Sequence, residues 1–301
     1  MTLTTRYFRA DDTGPHLLVT GGVHGDEFES ILAIRRLIRF FSSEEPLVHG
    51  RLTLIPVVNE AAFLRGHRCG DDGLDLARTC PGRRDGSPTE QVAAALSEEI
   101  RHANFYIDLH TGGTELSVFP LAGYCLVPDP SILEKQRRMA RAFNLPVIWG
   151  TSANLEGRSL SVARDAGVPA IYAEYLGSAT CTDEGVEAYF AGVLNVMADL
   201  GMIHRSLPPS RVEQVVEDDR PGSGHMQVSH PAPMDGCFSP AISLGDPVVK
   251  GQPVGQVLDL IGEVNLPVLA EENGRVIVLR TFPRVSHGDS VAVILPELSR
   301  P

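Results

Sequence analysis

At 301 residues the chain is long enough to bury a large core, and two domains fit its length. Its hydrophobic fraction of 43% is that of an ordinary globular protein, and a net charge of −12 without a basic stripe argues against a nucleic-acid partner. No apolar run reaches the roughly 18 residues of a membrane span, MTLTTRYFRADD lacks an apolar leader, and scattered cysteines without a CxxC pair point to a reducing, cytoplasmic setting.

Residues 17–23 and 51–58 (RLTLIPVV) read as short buried strands. Between them EFESILAIRRLIRFF places Phe28, Ile31, Ile34, Leu37, Ile38 and Phe41 at helical spacing. Strand, helix and strand in close succession predict a βαβ unit and a parallel sheet. TEQVAAALSEEI then reads as a helix, FYIDLH as a strand and SILEKQRRMARAFN as a helix. AIYAEYL follows as a strand and EGVEAYFAGVLNVMADLGM as a long helix.

After about residue 203 the character changes. HRSLPPSRVEQ is a proline-containing linker, and beyond it come short β-like runs rich in Gly and Pro, with no helix. DGCFSPAISLGDPVVKGQPVGQVLD and ENGRVIVLRTFPRVSHGDSVAVIL both run glycine, strand, Gly-Asp, strand. This weak internal repeat suits a small β-sandwich or barrel. It is similar to a biotinyl/lipoyl hammerhead without a modification lysine. The expectation is an α/β domain over 1–205, its mainly parallel sheet flanked by helices, and a small all-β domain over 206–301.

The chemistry begins at TGGVHGDEFES, where His24 and Glu27 stand three apart on a glycine-rich turn after the first buried strand. Open α/β sheets bind ligands at such strand ends. An imidazole and a carboxylate on one turn can meet on a metal ion, and zinc takes N and O donors. YIDLHTGG offers a third donor, His110, again at a strand end before glycines. Asp108 lies two residues earlier on the same strand face and can support that ring. Alone, each piece has a plainer reading, a chance HxxE or a turn histidine; together, at two strand ends, they carry more. Glu174 in AIYAEYLGS puts a carboxylate in an apolar strand, which is costly unless paired or functional. It is a candidate general base, or a core-edge glutamate paired with an arginine. In NEAAFLRGHRCGDDGLDLARTCPG, residues 59–82, Arg68 and Arg78 could hold a carboxylate or an oxyanion, or be solvated loop arginines.

GGVHGDE, NEAAFLRGHR, DGLDLARTCPG, DLHTGG and AEYLG, in that order, resemble the succinylglutamate desuccinylase/aspartoacylase family of zinc carboxypeptidase-like deacylases. The resemblance is close over about residues 15–200 and looser in the tail. It implies a zinc carboxypeptidase-like fold and one zinc per chain on His24, Glu27 and His110. It implies that Glu174 activates water and later protonates the leaving amine. Arg68 would polarise the scissile carbonyl, Arg78 would hold a substrate carboxylate, and Asn59, grouped with the substrate-binding residues, would shape the loop. Two positions depart from the family pattern: Ala77 stands where an asparagine helps grip the substrate carboxylate, and Asn59-Glu60 stands where Asn-Pro is usual. The implied activity is removal of an N-acyl group from a small amino-acid-like molecule, with no nucleic-acid or membrane partner and a homo-oligomer left open. A metallocarboxypeptidase acting on short peptides and a zinc-pocket binding protein without turnover are the alternatives. The tail, which in this family narrows the cleft, and the intact Glu174 favour the deacylase.

Overall fold

In the computed structural model, which describes residues 3–43 and 47–296, the βαβ opening forms as its apolar pattern predicts. β1 (Arg6–Arg9) and β2 (His16–Thr20) are followed by α1 (Phe28–Ser43), β3 (Arg51–Ile55) and the short α2 (Glu60–Arg65). Next come α3 (Pro88–His102), β4 (Phe105–His110), β5 (Leu116–Cys125), α4 (Pro130–Phe143), β6 (Val147–Thr151) and α5 (Ser159–Ala166). β7 (Ala170–Gly177) and α6 (Asp183–Asp199) complete the α/β part. The tail adds β8 (Gln214–Glu217), β9 (Gly236–Pro240), β10 (Pro247–Val248), β11 (Pro253–Leu258) and β12 (Asn265–Leu269). It ends with β13 (Gly274–Arg280), β14 (Arg284–Val285) and β15 (Ala292–Pro296).

β3, β2, β4 and β7 are parallel neighbours. Every residue of β2 is buried, because helices cover both faces of the sheet, and this is why its strands read as unbroken apolar runs. α1, α4 and α6 share one apolar cluster on one face, while α3 and α5 share another. The helices begin where capping chemistry lets them. Ser87 and Glu90 form a capping box ahead of α3, with Pro88 in its first turn, and Asp129 and Thr182 cap α4 and α6.

Two strands are shorter than the sequence suggests. β2 and β3 stop at Thr20 and Ile55, and their apolar continuations become loops tied together by Gly21 N–H to Ile55 O and Val58 N–H to Gly21 O. β5 was not expected. It runs antiparallel to β7 and parallel to β6, with a register break between Val118 and Leu121.

The tail extends the main sheet as well as building its own. β8 pairs with β6 and β13 pairs with β5, so the principal sheet counts eleven strands, and a four-stranded sheet β12-β11-β9-β14 lies beyond it. The weak repeat becomes a strand exchange. Each half has a long strand, a two-residue strand and another long strand, and the short strand of each half pairs with the first strand of the other: β10 with β13 and β14 with β9.

Candidate active site

The C-terminal ends of β2, β4 and β7 lie side by side, and the chemistry-bearing residues gather there. After β2 the chain must turn sharply under β3 and α2. Gly22 takes a left-handed φ of 59°, and a Cβ on Gly25 would stand 2.0 Å from the Ala62 carbonyl. That close passage aims His24 and Glu27 inward ahead of α1, where Ser30 Oγ donates to the Glu27 carbonyl.

His24 Nδ1 lies 2.7 Å from Glu27 Oε1, and His110 Nδ1 lies 3.0 Å from Glu27 Oε2. One donor atom from each of the three residues falls within 4.8 Å of the others, close enough to hold a metal ion. The opposite nitrogen of each ring meets a second carboxylate. His24 Nε2 is 3.0 Å from Asp75 Oδ1, and His110 Nε2 is 3.2 Å from Asp108 Oδ2. Asp108 is itself fixed by hydroxyl donors from Thr20 and Ser159. This chemistry fits a cation. With Nδ1 of each ring given to an ion, each Nε2–H still donates to its own carboxylate, which sets the tautomer and the ring orientation. Burial alone would push Glu27 up, yet the two imidazoles hold its carboxyl well below the usual range. Burial would likewise lower His110, and Asp108 and Glu27 raise it well above its usual value.

Glu174 faces this group from β7, directly across the register from His110. It is 6% exposed, and its Oε2 is buried with no hydrogen-bond partner among the described residues. Burial pushes its carboxyl up to about 8, with His110 opposing.

Arg68 is tethered, its Nε and Nη2 each 3.0 Å from Asp75 Oδ2. Asp75 therefore links the His24 ring to the Arg68 guanidinium, and its Oδ1 also accepts from Ala77 N–H at the turn that carries Arg78. Arg78 has no carboxylate partner among the described residues; it donates to the Ala77 carbonyl at 2.7 Å and to Gln227 Oε1 at 2.5 Å. Arg158 is similarly unneutralised and donates to the Gly224 carbonyl at 3.2 Å. Burial, and then neighbouring Arg158, lowers Arg78 to about 10, so it stays charged at neutral pH. All these side chains except Thr20, Ser30 and Asp75 line one cleft of about 790 Å³, a volume that includes its mouth open to solvent.

Asn59 lies off the cleft. Its Oδ1 accepts from Ala62 N–H and caps α2, and its Nδ2 is buried without a partner among the described residues. Asp108 stands beside His110 where the strand alternation predicts it. Three further cleft-side groups carried no distinguishing signal as isolated residues: Asp75 as a partner of His24, Arg158 before α5, and Gln227 in the tail. Of these, Asp75 could have been found by asking which acid supports the second nitrogen of His24.

Residues 13–200 match the sequence profile of the succinylglutamate desuccinylase/aspartoacylase catalytic domain. The chain belongs to the succinylglutamate desuccinylase/aspartoacylase family. It is 32% identical over 290 residues to the N-alpha-acetyl-L-2,4-diaminobutyric acid deacetylase of Halomonas elongata, covering 93% of this chain and 82% of that protein. The product-bound ectoine utilization protein EutE (DoeB) of Ruegeria pomeroyi is similar with a TM-score of 0.86 at 27% identity, over 96% of this chain and 87% of that one. A succinylglutamate desuccinylase/aspartoacylase from Rhodobacter sphaeroides gives a TM-score of 0.83 at 27% identity, with the same coverages of 96% and 87%. The mixed sheet with its β-rich tail is thus the fold of this family, and the family's chemistry is deacylation. Among the described residues no helix is long and apolar enough to cross a membrane.

Proposed function

We propose that the chain is a zinc-dependent amidohydrolase that removes an N-acyl group from a small amino-acid-like amine, with N-acetyl-2,4-diaminobutyrate the first candidate. One arrangement carries the reading: a His24–Glu27–His110 donor set, each ring backed by its own aspartate, facing the buried Glu174. His24, Glu27 and His110 would hold the zinc, which would supply Lewis acidity to polarise the acyl carbonyl and acidify the attacking water.

The chain's own residues do the rest. Arg78 and Arg158 bind the carboxylate of the amino-acid part, since both are charged and face only neutral acceptors. Arg68, held by Asp75, stabilises negative charge on the acyl oxygen as the tetrahedral centre forms. Glu174 takes a proton from the attacking water and passes it to the leaving nitrogen, so the amide and one water become a carboxylate and an amine. Leu116, Val118, Leu155 and Tyr172 line the remaining wall and limit bulk water around the reacting groups. Ala77 offers no amide beside Arg78 to help grip the carboxylate, so N-acetylaspartate and N-succinylglutamate are poorer substrates than a less acidic N-acyl amino acid. All five cysteines are free, in keeping with a reducing, cytoplasmic setting.

The test is turnover of N-acetyl and N-succinyl derivatives of acidic, neutral and basic amino acids, with zinc content measured for wild type and His24→Ala. Deacylation by the wild type and loss of zinc from the variant are expected. Equal zinc in the two proteins, or no turnover of any member of the panel, would overturn the reading.

A further inference from the structure

The tail reaches the cleft through one turn, residues 222–228. Ser223 anchors it: its Oγ donates to the Asp218 carbonyl at 2.6 Å and accepts from Ser152 N–H at 2.8 Å, just past β6. Gly224 takes a φ of 81° and passes so close to Thr151 that a Cβ would stand 2.9 Å from its side chain. His225 N–H donates to the Gly222 carbonyl at 3.0 Å and Val228 N–H to the His225 carbonyl at 3.3 Å, closing the turn. The result is that Gln227 meets Arg78, while the Gly224 carbonyl meets Arg158.

The acceptor that Arg78 finds here is neutral. A carboxylate at 227 would quench the guanidinium; an amide oxygen fixes its orientation and leaves its charge for a ligand. The remaining support at Arg78 is a backbone carbonyl, and the adjacent side chain in the same cleft is the methyl of Ala77, where the family resemblance leads one to expect an amide. The amide missing from the Arg78 turn is thus present on the other wall of the cleft, contributed by a part of the chain about 150 residues away, as the 149-residue separation of the Arg78–Gln227 bond records.

We propose that Gln227 is the positioning residue of the carboxylate subsite: its side-chain oxygen holds the Arg78 guanidinium toward the cleft without neutralising it, and so sets the preference of this site for a substrate bearing a free carboxylate. The inference rests on the proposed function in that the carboxylate read here belongs to the amino-acid part of the substrate. Because Gln227 hydrogen-bonds Arg78 and, among the described residues, none of His24, Glu27, His110 or Glu174, its effect falls on binding and not on the chemical step.

The experiment titrates 2,4-diaminobutyrate and its carboxamide calorimetrically into wild type, Gln227→Ala and Gln227→Glu, all zinc-loaded, with thermal melts to establish folding. The same proteins are assayed for kcat and KM on N-acetyl-2,4-diaminobutyrate. Wild type is expected to prefer the acid. Gln227→Ala weakens acid binding roughly tenfold, the scale of one hydrogen bond to a charged group, and leaves carboxamide binding unchanged. Gln227→Glu, which keeps the side chain's size, weakens acid binding further because it occupies Arg78 with a charge. KM follows the affinities and kcat stays within about twofold, as when only uniform binding is removed. Equal acid binding by wild type and both variants would overturn the proposal, as would equal losses for acid and carboxamide, or a wild type that does not distinguish them. A wild type that prefers the acid but turns nothing over would sink the deacylase reading, while the Gln227 comparison is still read from the titration.

Discussion

At the scale of the residue, the site places its acids in three different surroundings. Glu27 is buried between two imidazoles and stays ionised, Asp75 and Asp108 sit behind the rings, and Glu174 is buried with an unpartnered oxygen. Only Glu174 is free to exchange a proton with a substrate. Glu174→Gln should therefore keep both the fold and the bound zinc, since the donor set excludes it, and lose about 10²–10⁴-fold in kcat, the usual contribution of a general base. Elemental analysis and steady-state rates on the best substrate of the panel check both halves; a variant with near wild-type kcat would place the base elsewhere. Much of this centre was legible because His24, His110 and Glu174 each stand at or near the end of an apolar strand, and strand ends in a parallel sheet are brought together by the hydrogen-bond ladder itself. Arg158 and Gln227 were not legible. Each follows a glycine-containing loop with no periodicity, and only tertiary packing brings them to Arg78.

At the scale of the element, apolar spacing was sufficient for α1, α3, α4 and α6, whose buried stripes, with the capping residues of the last three, are local properties of the sequence. It failed for β5, whose segment LSVFPLAGYC contains Pro120 and Gly123 and so reads as broken. The strand persists because Pro120 falls within its register break, where no ladder bond is needed, and because Gly123 lets the Tyr172 ring lie against its backbone, with a Cβ there only 2.2 Å from that ring. The second strand carries a pH dependence of its own. His16 on β2 is 8% exposed, with Nδ1 donating to the His102 carbonyl at 3.0 Å and Nε2 2.7 Å from Thr53 Oγ1. Burial, with help from Arg51, lowers its pKa below the ordinary value. The unfolded chain thus binds a proton that the folded chain refuses, so this contribution is complete above the unfolded pKa of about 6.5 and is lost as pH falls through the folded value. The urea midpoint of wild type should fall more between pH 7.5 and pH 5 than that of His16→Gln; parallel declines would show that His16 titrates alike in both states.

At the scale of the whole molecule, the tail is part of the scaffold that holds the cleft. β8 and β13 are strands of the principal sheet, and Val216, Ile277, Val278, Val293 and Leu295 share an apolar cluster with Val118, Leu121, Val147 and Trp149. Pairing of β13 with β5 sets Val278 opposite Val118 and Arg280 opposite Leu116, and both partners on β5 line the cleft. Full burial of one such aliphatic side chain is worth about 1.5–3 kcal/mol, so losing five of them from one cluster is comparable with the net stability of an ordinary domain. A chain ending at residue 205 would also leave β5 and β6 with unpaired edges carrying exposed valines, an arrangement that invites association. We expect that shortened chain to aggregate on expression. Any soluble fraction should show red-shifted emission from Trp149, the single tryptophan, which is 4% exposed in the full chain. A soluble chain of 205 residues with the full-length melting temperature and emission would mean that the tail is a tethered module, and that the cluster between the two parts contributes little to holding the α/β part together.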